Sequence, residues 1–219
     1  MSVAAIFDVD GTLVTFHFDT RGARKALIDE LAASGFDAAG LDLNTPIQKI
    51  LDAAHAQTPA KGESAYEAFR RQAYAIIDRF EEANTASATP FPGTREALER
   101  LKSKGVRLAV LTNSGRKAAS EVLRRAGLQG LFEFVLTRDD TASMKPRPEG
   151  LTMALAMLGL PGAQVFYVGD SPYDIVAAKL AGMKIISVAT GNYSEDSLRK
   201  EGADFVISSI ARLPEVFNA

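Results

Sequence analysis

Six short apolar runs recur along the chain, at Val3–Phe7, Val106–Leu111, Phe134–Leu136, Val165–Val168, Ile185–Val188 and Phe205–Ile207. Most are apolar throughout instead of alternating, which is the pattern of parallel strands covered on both faces. Between them lie stretches of about ten residues with helical spacing: Thr94–Lys104, Arg116–Ala126, Pro148–Leu158, Pro172–Ala181 and Ser194–Glu201. In the first, Ala97, Leu98 and Leu101 form an apolar stripe and Gly105 supplies the stop; Val122, Leu123 and Ala126 followed by Gly127 repeat the arrangement in the second. Pro148 and Pro172 stand where a first-turn proline belongs. Strands alternating with helices of this length predict an α/β fold, a doubly wound and mostly parallel sheet.

One stretch breaks the rhythm. Between Thr15 and Thr89 there is no convincing strand; instead three amphipathic pieces follow near Thr20–Ala33, Thr45–Gln57 and Glu63–Ala83. In the third, Tyr66, Phe69, Ala73, Ile76, Ile77 and Phe80 recur at helical spacing. Pro90-Phe91-Pro92-Gly93 then marks the return to the α/β pattern. The expected organisation is a core made of residues 1–14 and 90–219, with an all-helical insert over 15–89 placed immediately after the first strand.

Composition narrows the functional classes. The chain has 219 residues, enough for a sizeable core without disulfide or metal staples. Its net charge of −2 offers no basic surplus for a nucleic-acid backbone. With no cysteine there are no disulfides, no thiolate nucleophile and no zinc-thiolate site. No apolar run approaches the length of a membrane span, and the opening MSVAAIFDVD lacks the apolar continuation of a secretion signal, so a cytoplasmic location is expected.

Ligands of an open α/β sheet bind beyond the carboxyl ends of its strands, so the polar residues that follow each apolar run are the informative ones. Asp8, Asp10, Gly11 and Thr12 follow the first run; Thr112, Asn113 and Ser114 follow the second. Lys145 lies beyond the third, and Gly169, Asp170, Ser171 and Asp174 follow the fourth. Close carboxylates repel, and a bound cation or a shared proton is the usual remedy. An all-oxygen ligand set suits Mg²⁺. One lysine and the Thr112/Asn113 pair are donors for an anionic group. Metal, lysine and hydroxyl donors around carboxylates point to phosphoryl transfer.

The run Phe7-Asp8-Val9-Asp10-Gly11-Thr12-Leu13 resembles the first motif, DxDGT, of the haloacid dehalogenase superfamily. The resemblance continues in order through Thr112-Asn113, Lys145-Pro146-Arg147-Pro148-Glu149 and Val168-Gly169-Asp170-Ser171-Pro172-Tyr173-Asp174, each at the end of a predicted strand. Together the four cover the whole α/β part of the chain. The helical insert resembles the cap of the phosphoglycolate phosphatase-like subgroup.

The resemblance implies a Mg²⁺-dependent phosphatase acting on a small phosphorylated metabolite, phosphoglycolate-like or a sugar phosphate, through an aspartyl-phosphate. It implies Asp8 as nucleophile, Asp10 as acid and base, and Thr112 and Lys145 as holders of the phosphoryl oxygens. The backbone around Asp10, Gly11 and Asn113 would assist, with Ser114 beside them. Mg²⁺ would be held by the Asp8 carboxylate, the Asp10 backbone carbonyl and Asp170. Asp174 matches the last acid of the fourth motif, where it would orient Lys145 or metal-bound water; the lesser reading, from its place near a helix start, is an acid that complements the helix dipole. The halide-removing members lack an acid at the position of Asp10. The alternatives are a phosphoryl mutase of the β-phosphoglucomutase type and a non-catalytic phosphate-binding module. No nucleic acid or membrane partner is expected, and the assembly expected is a monomer or weak homodimer. His17 and His55 are lone histidines without ligand spacing, His17 at the hinge of the insert.

Overall fold

The computed structural model describes residues 3–217, so the expected core span extends beyond the described residues at both ends. Its strands are β1 (Ala4–Phe7), β2 (Val14–Thr15), β3 (Thr89–Pro90), β4 (Arg107–Leu111), β5 (Val135–Leu136), β6 (Val165–Gly169), β7 (Lys184–Val188) and β8 (Phe205–Ile207). The helices are α1 (Thr20–Ala33), α2 (Ile47–His55), α3 (Thr58–Lys61), α4 (Glu63–Glu82), α5 (Thr94–Ser103), α6 (Arg116–Arg125), α7 (Glu149–Leu158), α8 (Pro172–Leu180), α9 (Glu195–Lys200) and α10 (Leu213–Val216).

Six strands form one sheet in the order β5-β4-β1-β6-β7-β8, every neighbouring pair parallel. The first strand therefore lies between β4 and β6, and the chain winds outward from it first to one side and then to the other. That reversal opens a crevice at the carboxyl ends of the central strands. Strand alternation decides what each face buries. Ala4 and Ile6 of β1 face the same way as Ala109, Val165, Tyr167 and Ile185, and Leu151, Ala154 and Ile175 from α7 and α8 cover them. Both faces of β1 are buried, which is why its sequence shows no polar alternation.

Two compact units make up the chain: one holds the described residues up to His17 and from Thr85 onward, the other is Phe18–Asn84. The second unit is all helix, and its interior is Leu27 and Leu31 of α1, Ile50 and Leu51 of α2, and Phe69 and Ile77 of α4. The unit is shorter than the insert expected over 15–89, because Val14–Thr15 and Thr89–Pro90 pair as an antiparallel ribbon. The Thr15 and Thr89 hydroxyls lie 2.7 Å apart across it. A two-residue strand carries no period to detect, and the proline in β3 masks it further. Helix starts also shift slightly: Pro46 and Pro148 stand one residue ahead of α2 and α7, whereas Pro172 is the first residue of α8.

Candidate active site

The carboxyl ends of β1, β4 and β6 converge, and three acids and a lysine meet there. Asp8 follows β1, and its N–H donates to the Val168 carbonyl at 2.9 Å, locking the end of β1 to β6. Lys145 reaches in from the long connection between β5 and α7. Its ammonium has three N–H donors and three partners: Asp8 Oδ1 at 2.8 Å, Asp174 Oδ1 at 2.7 Å and the Tyr167 hydroxyl at 2.8 Å. Lys145 is buried, as are Asp8, Asp170 and Asp174.

Asp174 is fully engaged. Its Oδ1 also accepts from the Tyr167 hydroxyl at 3.1 Å, and its Oδ2 accepts from the Ser171 N–H at 3.0 Å and the Ser171 hydroxyl at 2.6 Å. A carboxylate has about four acceptor sites, and all four are filled. The same residue thus closes the capping box of α8 and fixes Lys145. Asp174 belongs with Lys145 in this geometry, although its oxygens lie within 4.8 Å of those of Asp8 and Asp170.

The other candidates divide sharply. Asp10 Oδ1 accepts from the Phe16 N–H at 3.1 Å. The Gly11 N–H, expected among the anion donors, is spent on the Val14 carbonyl at 2.9 Å, because the chain turns here with Gly11 at φ +77°. Thr112 is buried and its hydroxyl accepts from the Ser114 N–H at 3.1 Å, so its own proton is free to be donated. The Asn113 side chain does not face the carboxylates: it grips the Lys145 backbone, donating to its carbonyl at 3.1 Å and accepting from its N–H at 2.9 Å. Ser114 is buried, and its carbonyl accepts from the Arg138 N–H.

Electrostatics describe a site with too many acids for one lysine. Burial, and after it the charge of Asp174, pushes Asp170 upward, while burial likewise raises Asp8 against the pull of Lys145. Burial and the neighbouring Asp8 bring Asp10 up to about 7. Burial opposes the charge of Lys145, but Asp174 and Asp8 outweigh it and hold the ammonium above its ordinary range. A hard cation beside the hard oxygens of Asp8 and Asp170 would relieve this repulsion, so the donor set fits Mg²⁺. A carboxyl whose folded pKa is raised from 3.8 to about 7 favours the folded state at low pH, and that contribution is lost as pH rises through about 7. The metal-free protein is expected to lose thermal stability between about pH 4 and pH 7, and saturating Mg²⁺ is expected to flatten the fall and release protons on binding. Melting curves with and without the ion measure both; a metal-free Tm that rises across that interval contradicts the assignment.

Tyr167 and Arg138 are part of the arrangement and were not among the candidates read from sequence. A tyrosine inside an otherwise apolar, fully buried strand needs a partner for its hydroxyl, and that was the available signal. Arg138 is buried and donates to the Asn113 carbonyl at 3.0 Å; a lone arginine after a strand carries no such signal. His17 is exposed, and the His55 ring packs edge-on against Tyr66 at 4.8 Å between centroids.

Four strand-end motifs on a doubly wound sheet are matched by the sequence profile of the haloacid dehalogenase-like hydrolases, which covers residues 3–182. The chain belongs to that family. A phosphoglycolate phosphatase of Neisseria meningitidis is 31% identical to this haloacid dehalogenase-like hydrolase over 228 residues, covering 98% of this chain and 92% of the relative. A pyrophosphatase of Halalkalibacterium halodurans is 30% identical over 158 residues, covering 72% and 70%. Among solved structures, a protein from Thermotoga maritima assigned as a β-phosphoglucomutase superposes with a TM-score of 0.64 at 27% identity, covering 100% of this chain and 99% of that one. Among the described residues of this hydrolase, no helix is long and apolar enough to cross a membrane.

Proposed function

We propose that this hydrolase is a Mg²⁺-dependent phosphatase that cleaves a small phosphorylated metabolite, phosphoglycolate-like or a sugar phosphate, through a phosphorylated Asp8. The observation that carries the reading is the Asp8 carboxylate held 2.8 Å from a buried ammonium, beside Asp170 and at the mouth of the sheet. Asp8 and Asp170, with the Asp10 carbonyl, would hold the cation, which supplies charge neutralisation for the phosphoryl oxygens. The relative named phosphoglycolate phosphatase supports the substrate class.

The protein's own groups account for the proton and bond changes. An Asp8 oxygen attacks phosphorus as the bond from phosphorus to the ester oxygen breaks, and Asp10 gives its proton to the departing alkoxide. As Asp8 gives its negative charge to the new bond, the Lys145 N–H that it held turns to the phosphoryl oxygens, and the Thr112 hydroxyl donates its proton to them as charge builds. Asp10, now ionised, takes a proton from the water that attacks phosphorus; the bond to Asp8 breaks, and inorganic phosphate leaves. Burial raises the Asp10 carboxyl above the ordinary carboxylate range, which suits a group that must act first as acid and then as base.

The test uses the leaving group. Asp10→Asn is expected to lower kcat/KM for an alkyl phosphate such as phosphoglycolate by about 10²–10⁴-fold. Release of p-nitrophenol, which departs without a proton, is expected to fall much less in the first half-reaction, read as the burst of p-nitrophenolate. Equal losses for both esters would remove Asp10 from the acid role. A second reading, transfer of the phosphoryl group to a substrate hydroxyl, is favoured by the likeness to the Thermotoga structure. Product analysis with a hexose phosphate separates them: free phosphate supports hydrolysis, and an isomeric hexose phosphate supports the mutase.

A further inference from the structure

Asp170 follows β6, and its carboxylate is confined by residues that follow two other strands. The Thr12 hydroxyl donates to Oδ1 at 3.1 Å. Gly11 lies against the same carboxylate: a Cβ at that position would stand 2.6 Å from Cγ of Asp170, with Oδ2 closer still. Gly191, in the segment that follows β7, presses from elsewhere. A Cβ there would stand 2.8 Å from Cγ of Asp170 and 3.2 Å from its Cβ, again with Oδ2 nearer. The preceding residue ties this segment down, because the Thr190 hydroxyl donates to the Gly11 carbonyl at 2.6 Å.

The two glycines are required for different reasons. Gly11 has φ +77°, so any side chain there is strained by its own backbone. Gly191 is not among the glycines with positive φ, and its backbone would accept alanine. The three heavy atoms nearest a Cβ at 191 all belong to the Asp170 side chain. The carboxylate is the free end of that side chain, so an added methyl group would turn it aside before it disturbed the sheet.

We propose that Thr190 and Gly191 are positioning residues for Asp170, and that this segment sets the direction in which the carboxylate is offered to a divalent cation. The inference rests on the reading of Asp8 and Asp170 as metal ligands. Mg²⁺ demands short, near-octahedral bonds, whereas Ca²⁺ accepts longer and more variable ones. Displacing one carboxylate therefore penalises Mg²⁺ selectively, and a general loosening of the fold would not.

Calorimetric titration of the full chain with MgCl₂ and separately with CaCl₂ tests this, on wild type, Gly191→Ala, Thr190→Val and Thr190→Ser. Gly191→Ala is expected to weaken Mg²⁺ binding by about 10–100-fold, the usual effect of disturbing a group that orients a metal ligand, and Ca²⁺ binding much less. Thr190→Val is expected to weaken Mg²⁺ in the same sense, and Thr190→Ser to restore it. A folded Gly191→Ala protein whose Mg²⁺ and Ca²⁺ affinities match the wild type, or lose equally, overturns the proposal. Should that variant not fold, Thr190→Val decides alone, and wild-type Mg²⁺ affinity in it overturns the proposal equally. Absence of Mg²⁺ binding to the wild type would instead overturn the metal reading on which the inference rests.

Discussion

Asp8→Asn is expected to lower turnover by about 10⁴-fold or more, the scale on which loss of a covalent nucleophile acts, while the protein remains folded. The substitution preserves volume at a buried position and removes the one charge that attacks phosphorus. The fold survives because Lys145 keeps two of its three partners, Asp174 and the Tyr167 hydroxyl. The Asn113 side chain continues to hold the Lys145 backbone. Steady-state release of phosphate, with circular dichroism as the control for folding, reads the effect. A folded variant that kept a tenth of the wild-type rate would exclude phosphorylation of Asp8.

What the sequence made legible depended on the length of the signal. The six strands of the sheet are visible because the central ones are buried on both faces and so read as largely apolar runs, and the residues that follow them mark the site edge. Asp8, Lys145, Asp170 and Asp174 were found this way. The ribbon of Val14–Thr15 with Thr89–Pro90 was not, since its strength lies in a pairing across 74 positions that no local pattern encodes. The division of labour within the site was also hidden. Asn113 and Thr112 are neighbours in sequence, yet one faces the Lys145 backbone and the other keeps a hydroxyl proton free. Whether Gly11 offers its N–H to a ligand or to Val14 depends on the turn, which a DG pair permits without fixing. Tyr167 escaped because in sequence it looks like another apolar strand residue; its hydroxyl matters only once β6 lies beside β1 and α8 delivers Asp174.

Lys145→Met is expected to damage stability and catalysis together, and pH separates the two. Methionine has nearly the length of lysine and fills the same buried space, so packing changes little. What remains is charge: Asp8 and Asp174 would stay buried without the ammonium that each now meets at 2.8 Å and 2.7 Å. Breaking a buried ion pair by removing one partner costs about 3–5 kcal/mol, a large share of the roughly 5–15 kcal/mol that holds a domain folded. Burial already holds the Asp8 carboxyl up at about 6, and removing Lys145 takes away the charge that pulls it down. Asp8 can escape that cost by taking up a proton, so the variant's deficit is smallest near pH 5 and grows as pH rises toward 8. Denaturant unfolding at the two pH values reads the difference. Adding Asp174→Asn to Lys145→Met removes one of the unpaired charges, and is expected to recover part of the stability at pH 8 without recovering activity. Catalysis should remain depressed by about 10²–10³-fold, as when one donor to a developing oxyanion is lost. A deficit equal at both pH values would mean that Lys145 matters here as a packed side chain and not as the counter-charge of Asp8 and Asp174.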